Sequence, residues 1–270
     1  MTILNIAHRG ARSLVPENTL IAAQKGFEIG ADAWELDVAM TADGEMVVIH
    51  DDTLTRTSDA SQVFPDRAPW EVHTFTLTEL RTLDFGSWFV ITDPFGQIAA
   101  GNVSSAAQRT FKEIRMPTLR DALEFTKDHH WRVNVELKDL TGKPGDADIV
   151  ERAVALIKEM QMEKSILISS FNHSYLERVK KSAPMIDTAA LVEEADADPV
   201  ALVERLGAKA YNPGVNACNA EHFSALRKAG RDINVWTVND EATMKSMIAM
   251  GATGLFTDFP QRLKSVINSH

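Results

Sequence analysis

Two histidines, each just past a short apolar run, flank a pair of alternating acids. His8 opens His8-Arg9-Gly10 after Ile3-Leu4-Asn5-Ile6-Ala7, and His50 precedes Asp51 after Met46-Val47-Val48-Ile49. Between them lie Glu35 and Asp37, in Trp34-Glu35-Leu36-Asp37-Val38. Two residues apart on a strand, these acids point to one face. A third acid follows in Asn134-Val135-Glu136-Leu137-Lys138, where Glu136 and Lys138 again share a face. Three inward acids on neighbouring strands are costly in an interior unless a cation neutralises them. A hard divalent cation with oxygen ligands, Ca²⁺ or Mg²⁺, fits this donor set. Zinc fits less well, because the acids outnumber histidines at matched spacing. With two imidazoles that titrate near neutrality and an arginine, the chemistry indicated is metal-assisted work on a phosphate.

Each element alone also has an ordinary explanation. A Glu-x-Asp strand can be a solvated edge, Gly10 can serve only a turn, and Lys138 can simply pair with Glu136. His129-His130 closes a helical stretch, where it offsets the dipole, and Cys218 reads as inert packing. The chain holds no P-loop, Rossmann glycine fingerprint or His-Glu-x-x-His helix. The weight rests on the combination, with each element at a strand end.

The elements that must position these residues alternate along the chain. Strand-like runs rich in Val, Ile, Leu and Trp fall at 3–7, 33–38, 133–137, 165–169, 187–192, 209–212, 232–238 and 253–257. Helical stretches follow at 18–29, 118–129, 147–160, 173–182, 198–206, 219–229, 240–250 and 260–268. Asp146 and Asp148 signal the start of the third, and Asn239-Asp240 and Gly251 bracket the seventh. Eight strand–helix repeats predict a (β/α)8 TIM barrel, with a doubly wound open sheet as the competing arrangement. Reactive groups in such a barrel sit where strands run into the following loops.

One region breaks the rhythm. After a short extended run at 46–49, the segment 51–115 is polar and punctuated by Gly86, Gly96, Gly101, Pro65, Pro69 and Pro94. A structureless loop that long is unusual in a compact domain. It is therefore read as an insertion or cap on the strand-end face, within a single domain over 1–270. Trp70, Phe75, Trp88, Phe89 and Phe95 either line a pocket or form the insertion's own small core, the latter being expected for most.

Composition narrows the partners. The net charge of −10 argues against nucleic acid or an anionic membrane as the main partner. A small phosphorylated substrate would respond instead to the local field of a metal and Arg9. A single cysteine excludes an internal disulfide and fits a reducing compartment. No apolar stretch approaches the roughly 20 residues of a membrane span, so no stable membrane insertion is expected. Met1 to Ala7 lacks a basic start and is too short for a signal sequence. A cytoplasmic location is expected, and the oligomeric state is left open.

The order of motifs resembles the glycerophosphodiester phosphodiesterase family. His8-Arg9-Gly10, Pro16-Glu17-Asn18-Thr19, Glu35-Leu36-Asp37-Val38, Thr41-x-Asp43-Gly44 and His50-Asp51 match its signature in sequence. Leu54-Thr55-Arg56-Thr57, Pro117-Thr118-Leu119, Glu136-Leu137-Lys138, Ser169-Ser170-Phe171, Trp236-Thr237-Val238-Asn239 and Thr257-Asp258-x-Pro260 continue it to the last helix. The resemblance implies a TIM barrel with an insertion after the second strand. It implies hydrolysis of small glycerophosphodiesters, such as glycerophosphocholine or glycerophosphoethanolamine, to glycerol 3-phosphate and an alcohol. It places a divalent metal, Ca²⁺ or Mg²⁺, on Glu35, Asp37 and Glu136, with His8 and His50 as the acid–base pair. Arg9 and Lys138 fall on phosphate-contacting positions, Glu17 in a motif lining the same site, and Phe171 and Trp236 on aromatic positions near the substrate. In the scheme it implies, one histidine deprotonates a glycerol hydroxyl that attacks phosphorus, and water then opens the cyclic phosphate. One departure is that Thr57-Ser58-Asp59-Ala60-Ser61-Gln62 lacks the glycine often found in this family's insertion. The rival readings are a lysophospholipase D or sphingomyelinase D-like enzyme on the same barrel, and a non-catalytic binding barrel. The first requires a membrane-binding rim, and no long basic amphipathic stretch is present. The second predicts loss of reactive groups, all of which are retained.

Overall fold

The computed structural model describes residues 3–269, so Met1, Thr2 and His270 of the expected 1–270 unit lie outside the described residues. The chain begins with β1 (Leu4–Ala7), α1 (Leu20–Ile29), β2 (Ala33–Met40) and β3 (Met46–Val48). Short helices α2 (Ala60–Val63), α3 (Leu77–Leu80), α4 (Ser87–Thr92) and α5 (Ser105–Arg109) follow, then α6 (Leu119–Asp128) and β4 (Val133–Leu137). Regular alternation resumes with α7 (Ile149–Glu159), β5 (Ile166–Ser170), α8 (His173–Ser182), β6 (Asp187–Val192), α9 (Pro199–Arg205) and β7 (Ala210–Pro213). The chain ends with α10 (Ala220–Lys228), β8 (Asp232–Val235), α11 (Glu241–Met250), β9 (Gly254–Thr257) and α12 (Pro260–Asn268).

β1 pairs in parallel with both β9 and β2, which closes the sheet and excludes the open doubly wound alternative. The eight parallel strands form a TIM barrel, while β3 folds back antiparallel on β2. No helix of the described residues is long and apolar enough to cross a membrane. The strands carry apolar residues on the face under the helices, where Leu36, Val38, Val135 and Leu137 are fully buried. Their alternate positions face the barrel interior, and the register sets Asp37 opposite Glu136 and Glu35 opposite Asn134. On the other side of β1, Ala7 pairs with Thr257, which brings His8 beside Asp258.

Helix boundaries follow local chemistry. The first helix begins at Leu20, two residues later than the pattern predicts. Asn18 adopts a left-handed φ of 55°, and the Thr19 side chain accepts from the Ala22 N–H as the cap. Asp240 caps α11 and Gly251 ends it in the left-handed region. Asn239 is used elsewhere, on Asp258. Asp148 stands before α7 without a side-chain capping bond, and Asp146 accepts from the Tyr175 hydroxyl instead. The strand expected over 232–238 ends at Val235.

The segment 51–115 folds as short helices around two apolar clusters. One joins Leu54, Val72, Phe75, Leu80 and Phe85 to Val47 and Ile49 of the barrel; the other joins Phe89, Val103 and Phe111 to Val15 and Ala22. Phe75 and Phe89 are fully buried, and Trp70, Trp88 and Phe95 pack at the edges of these clusters. None of the five lines the cleft described next.

Candidate active site

A cleft of about 110 Å³ opens at the carboxyl ends of the strands, lined by His8, Arg9, Glu35, His50, Asn134, Glu136, Ser169, Phe171 and Trp236, among others. The barrel geometry brings these together from residues over 200 positions apart in sequence. His8 and Arg9 follow β1, and Glu35 lies within β2. His50 follows β3, Glu136 lies within β4, Phe171 follows β5 and Trp236 follows β8. Phe171 and Trp236 meet edge to face, 5.5 Å between ring centroids.

Glu35, Asp37 and Glu136 each present a carboxylate oxygen within 4.8 Å of the others. Burial, then the neighbouring Asp37 and Glu136 carboxylates, push Glu35 well above the ordinary range. Burial and Asp37 likewise raise Glu136. Burial works against ionisation of Asp37 too, yet Arg9, Lys138 and an Asn18 amide bond of 2.9 Å hold it low. One Glu35 oxygen accepts the Arg9 backbone N–H at 2.9 Å, while its Oε1 is buried without a partner. Converging oxygen donors, two of them pushed up by burial and by one another's charge and one with an orphaned atom, fit a hard divalent cation.

Both histidines are buttressed through Nδ1. His8 Nδ1 lies 2.7 Å from Asp258 Oδ1, and His50 Nδ1 lies 2.7 Å from Asp51 Oδ1. When Nδ1–H donates to a carboxylate, Nε2 becomes the lone-pair nitrogen of the neutral ring. Burial and the adjacent Arg9 push His8 down, partly offset by its bond to Asp258. Burial raises Asp258, but His8 and Arg12 outweigh it and hold the carboxyl at about 2. Asn239 donates to the second Asp258 oxygen at 2.7 Å.

Not every sequence-predicted residue stands on the cleft wall. Arg9 does, with Nη1 held by Glu17 at 2.9 Å and Nε 3.3 Å from Asp37. Glu17 lies behind it, its oxygens taken by Arg9, Arg12 and Arg56. Lys138 sits beside the acids, 3.0 Å from Glu136 and 3.7 Å from Asp37. His129 donates locally at the end of α6, from Nδ1 to the Phe125 carbonyl at 2.8 Å. Cys218 is half-buried with its thiol pushed up to about 11 by burial, which leaves it unreactive near neutrality. Sequence reasoning assigned no role to Asp51, Asp258, Arg12, Arg56 or Asn134. Asp51 and Asp258 had a usable signal, since one adjoins His50 and the other ends the last strand beside the first.

Comparison with known proteins agrees with this geometry. Residues 8–262 match the Glycerophosphoryl diester phosphodiesterase family. The chain is 35% identical over 268 residues to a glycerophosphodiester phosphodiesterase of Caldanaerobacter subterraneus, covering 99% of this chain and 98% of that one. It is 32% identical over 260 residues to a Bacillus altitudinis protein of the same name, covering 95% and 94%. Among solved structures, an Oleispira antarctica phosphodiesterase in complex with the product sn-glycerol-3-phosphate superposes with a TM-score of 0.84 at 26% identity, covering 99% of this chain and 97% of the other.

Proposed function

The chain belongs to the glycerophosphoryl diester phosphodiesterase family, and from that premise we propose that it hydrolyses small glycerophosphodiesters to sn-glycerol 3-phosphate and an alcohol. The observation that carries this reading is the convergence in one cleft of two Nδ1-buttressed imidazoles, an arginine, Glu35 and Glu136, with Asp37 clustered beside the two glutamates. The product named in the Oleispira structure supports the glycerophosphate end of the substrate. We take the whole of 1–270 as one catalytic domain, with 51–115 as its cap.

Glu35, Asp37 and Glu136 would hold the cation, Ca²⁺ or Mg²⁺. When bound, the cation supplies positive charge against the nonbridging phosphate oxygens as negative charge develops there. Arg9 adds to that field from the cleft wall, with Lys138 behind the acids. His8, kept neutral by burial and Arg9, accepts the proton of a glycerol hydroxyl at Nε2. The hydroxyl oxygen attacks phosphorus, the alcohol departs with a proton from His50, and a cyclic phosphate forms. Water then opens the ring with the two histidines exchanging roles. Phe171 and Trp236 form the apolar wall against which the organic part of the diester rests.

The test uses purified, metal-depleted protein and glycerophosphocholine, with sn-glycerol 3-phosphate release followed with and without Ca²⁺ or Mg²⁺. Metal-dependent release is expected, with turnover lost in His8→Ala and His50→Ala while their circular dichroism stays native. Full activity in both variants would remove the acid–base assignment. Full activity in excess chelator would remove the three acids from the metal role.

A further inference from the structure

Glu17 stands outside the cleft wall, yet three guanidinium groups converge on it. Its side chain is only 3% exposed. Arg9 Nη1 reaches it at 2.9 Å, Arg12 Nη2 at 2.7 Å, and Arg56 at 3.0 and 2.7 Å through both terminal nitrogens. Arg9 also reaches Asp37, at 3.3 Å, and the other two arginines have a second acid each. Arg12 Nη1 reaches Asp258 at 3.4 Å, and Arg56 grips Asp51 through Nε at 2.6 Å and Nη2 at 3.0 Å. Those acids are the ones that hold the Nδ1 atoms of His8 and His50.

We propose that Glu17 is a positioning residue shared by both histidines, the centre of a continuous chain of alternating charge that runs His8–Asp258–Arg12–Glu17–Arg56–Asp51–His50. The chain crosses from the barrel, which supplies His8, Arg12 and Asp258, to the start of the insertion, which supplies Asp51 and Arg56. His8 and His50 lie on different elements, and no other shared anchor holds both rings among the described hydrogen bonds and ion pairs. Taking the charge from Glu17 leaves three arginines crowded without their common counter-ion. Their mutual repulsion spreads them apart, and Arg12 and Arg56 carry Asp258 and Asp51 with them. Asp258 keeps a further anchor in Asn239, whereas the described partners of Asp51 are His50 and Arg56 alone. The His50 arm is therefore the more sensitive one.

This inference rests on the histidine roles proposed above, and two readouts keep the two apart. The first is independent of turnover: long-range proton–nitrogen spectra of the ¹⁵N-histidine-labelled, Ca²⁺-loaded protein report the tautomer and hydrogen bonding of each ring. Glu17→Gln is expected to change the ring signals of both His8 and His50, Arg56→Gln those of His50 only, and Arg12→Gln those of His8 only. Unchanged rings in Glu17→Gln overturn the proposal. If Glu17→Gln does not fold, Arg56→Gln decides, because Arg56 is 41% exposed and tolerates the change. An undisturbed His50 ring there overturns it equally. The second readout is kinetic. Glu17→Gln is expected to lower kcat roughly tenfold or more with little change in KM, as loss of an orienting partner does. Its effect should shrink in an Asp51→Asn background. An additive loss carried in KM would instead confine Glu17 to holding Arg9 for substrate. A wild type that cleaves no glycerophosphodiester would refute the proposed activity and leave the spectra to decide the network.

Discussion

A histidine that transfers a proton needs one ring nitrogen fixed so that the other is presented in a defined state. Asp258 does this for His8, and the same contact makes it a stability determinant. Its carboxyl is held at about 2 against an ordinary 3.8, and its side chain is 8% exposed. A folded pKa below the unfolded one contributes stability that is fully present above about pH 4 and is lost as pH falls towards 2. The shift corresponds to about 2 kcal/mol. Asp258→Asn is expected to lose that amount in urea unfolding at pH 7, with the gap to wild type narrowing below about pH 4. An equal gap at both pH values would show that the charge of Asp258 is not what stabilises. The three clustered acids and both histidines of the candidate site are legible in the sequence because residue type and strand spacing alone mark them. Arg12 and Arg56 are not, because their roles come from partners 246 and 39 positions away, set by strand pairing and the insertion's docking. Arg12 and Arg56 read as ordinary surface charge until the barrel closes.

At the scale of elements, the loop from β1 to α1 concentrates the backbone constraints of the site. Arg9 and Asn18 take left-handed φ values of 54° and 55° and are locked there by Glu35 and Asp37. Gly10 has a φ of 79°, and a Cβ on it would lie 2.5 Å from the Ala22 carbonyl carbon of α1. Gly96, in the insertion, has a φ of 64° with nothing within 4 Å of such an atom. Gly96→Ala is therefore expected to lose only about 1 kcal/mol, from backbone conformation. Gly10→Ala must also push α1 away from the loop that carries His8 and Arg9. It is expected to lose more than about 3 kcal/mol and to lower kcat, while Gly96→Ala keeps wild-type activity. Similar losses in the two variants would mean that the close approach to α1 is not what requires glycine. The barrel strands and helices are readable because they are buried apolar runs or amphipathic stretches, most of the latter capped. The insertion is readable as a break in that rhythm, but its internal helices are not, since they are mostly four to six residues long. Its clusters borrow Val47, Ile49, Val15 and Ala22 from the barrel.

For the whole molecule, closure of the sheet ties cation binding to global folding. Glu35 and Asp37 on β2 meet Glu136 on β4 only through the parallel register of those strands, and the unfolded chain has no such convergence. A ligand that binds only the folded state stabilises it by mass action, by about 2.7 kcal/mol at a hundredfold excess over Kd. Without a cation, burial and the repulsion among these acids together push Glu35 and Glu136 up. Glu35→Gln should therefore act with opposite signs in the two conditions. In chelator its melting temperature is expected to equal or exceed that of wild type, because a buried charge and its repulsion are gone. With Ca²⁺ or Mg²⁺ added, the wild type is expected to gain several degrees and the variant little, so the order reverses. Thermal unfolding of both proteins in chelator and in each ion reads this crossing directly. A wild type whose melting temperature ignores both ions would show that the three acids, although gathered by the barrel, hold no cation.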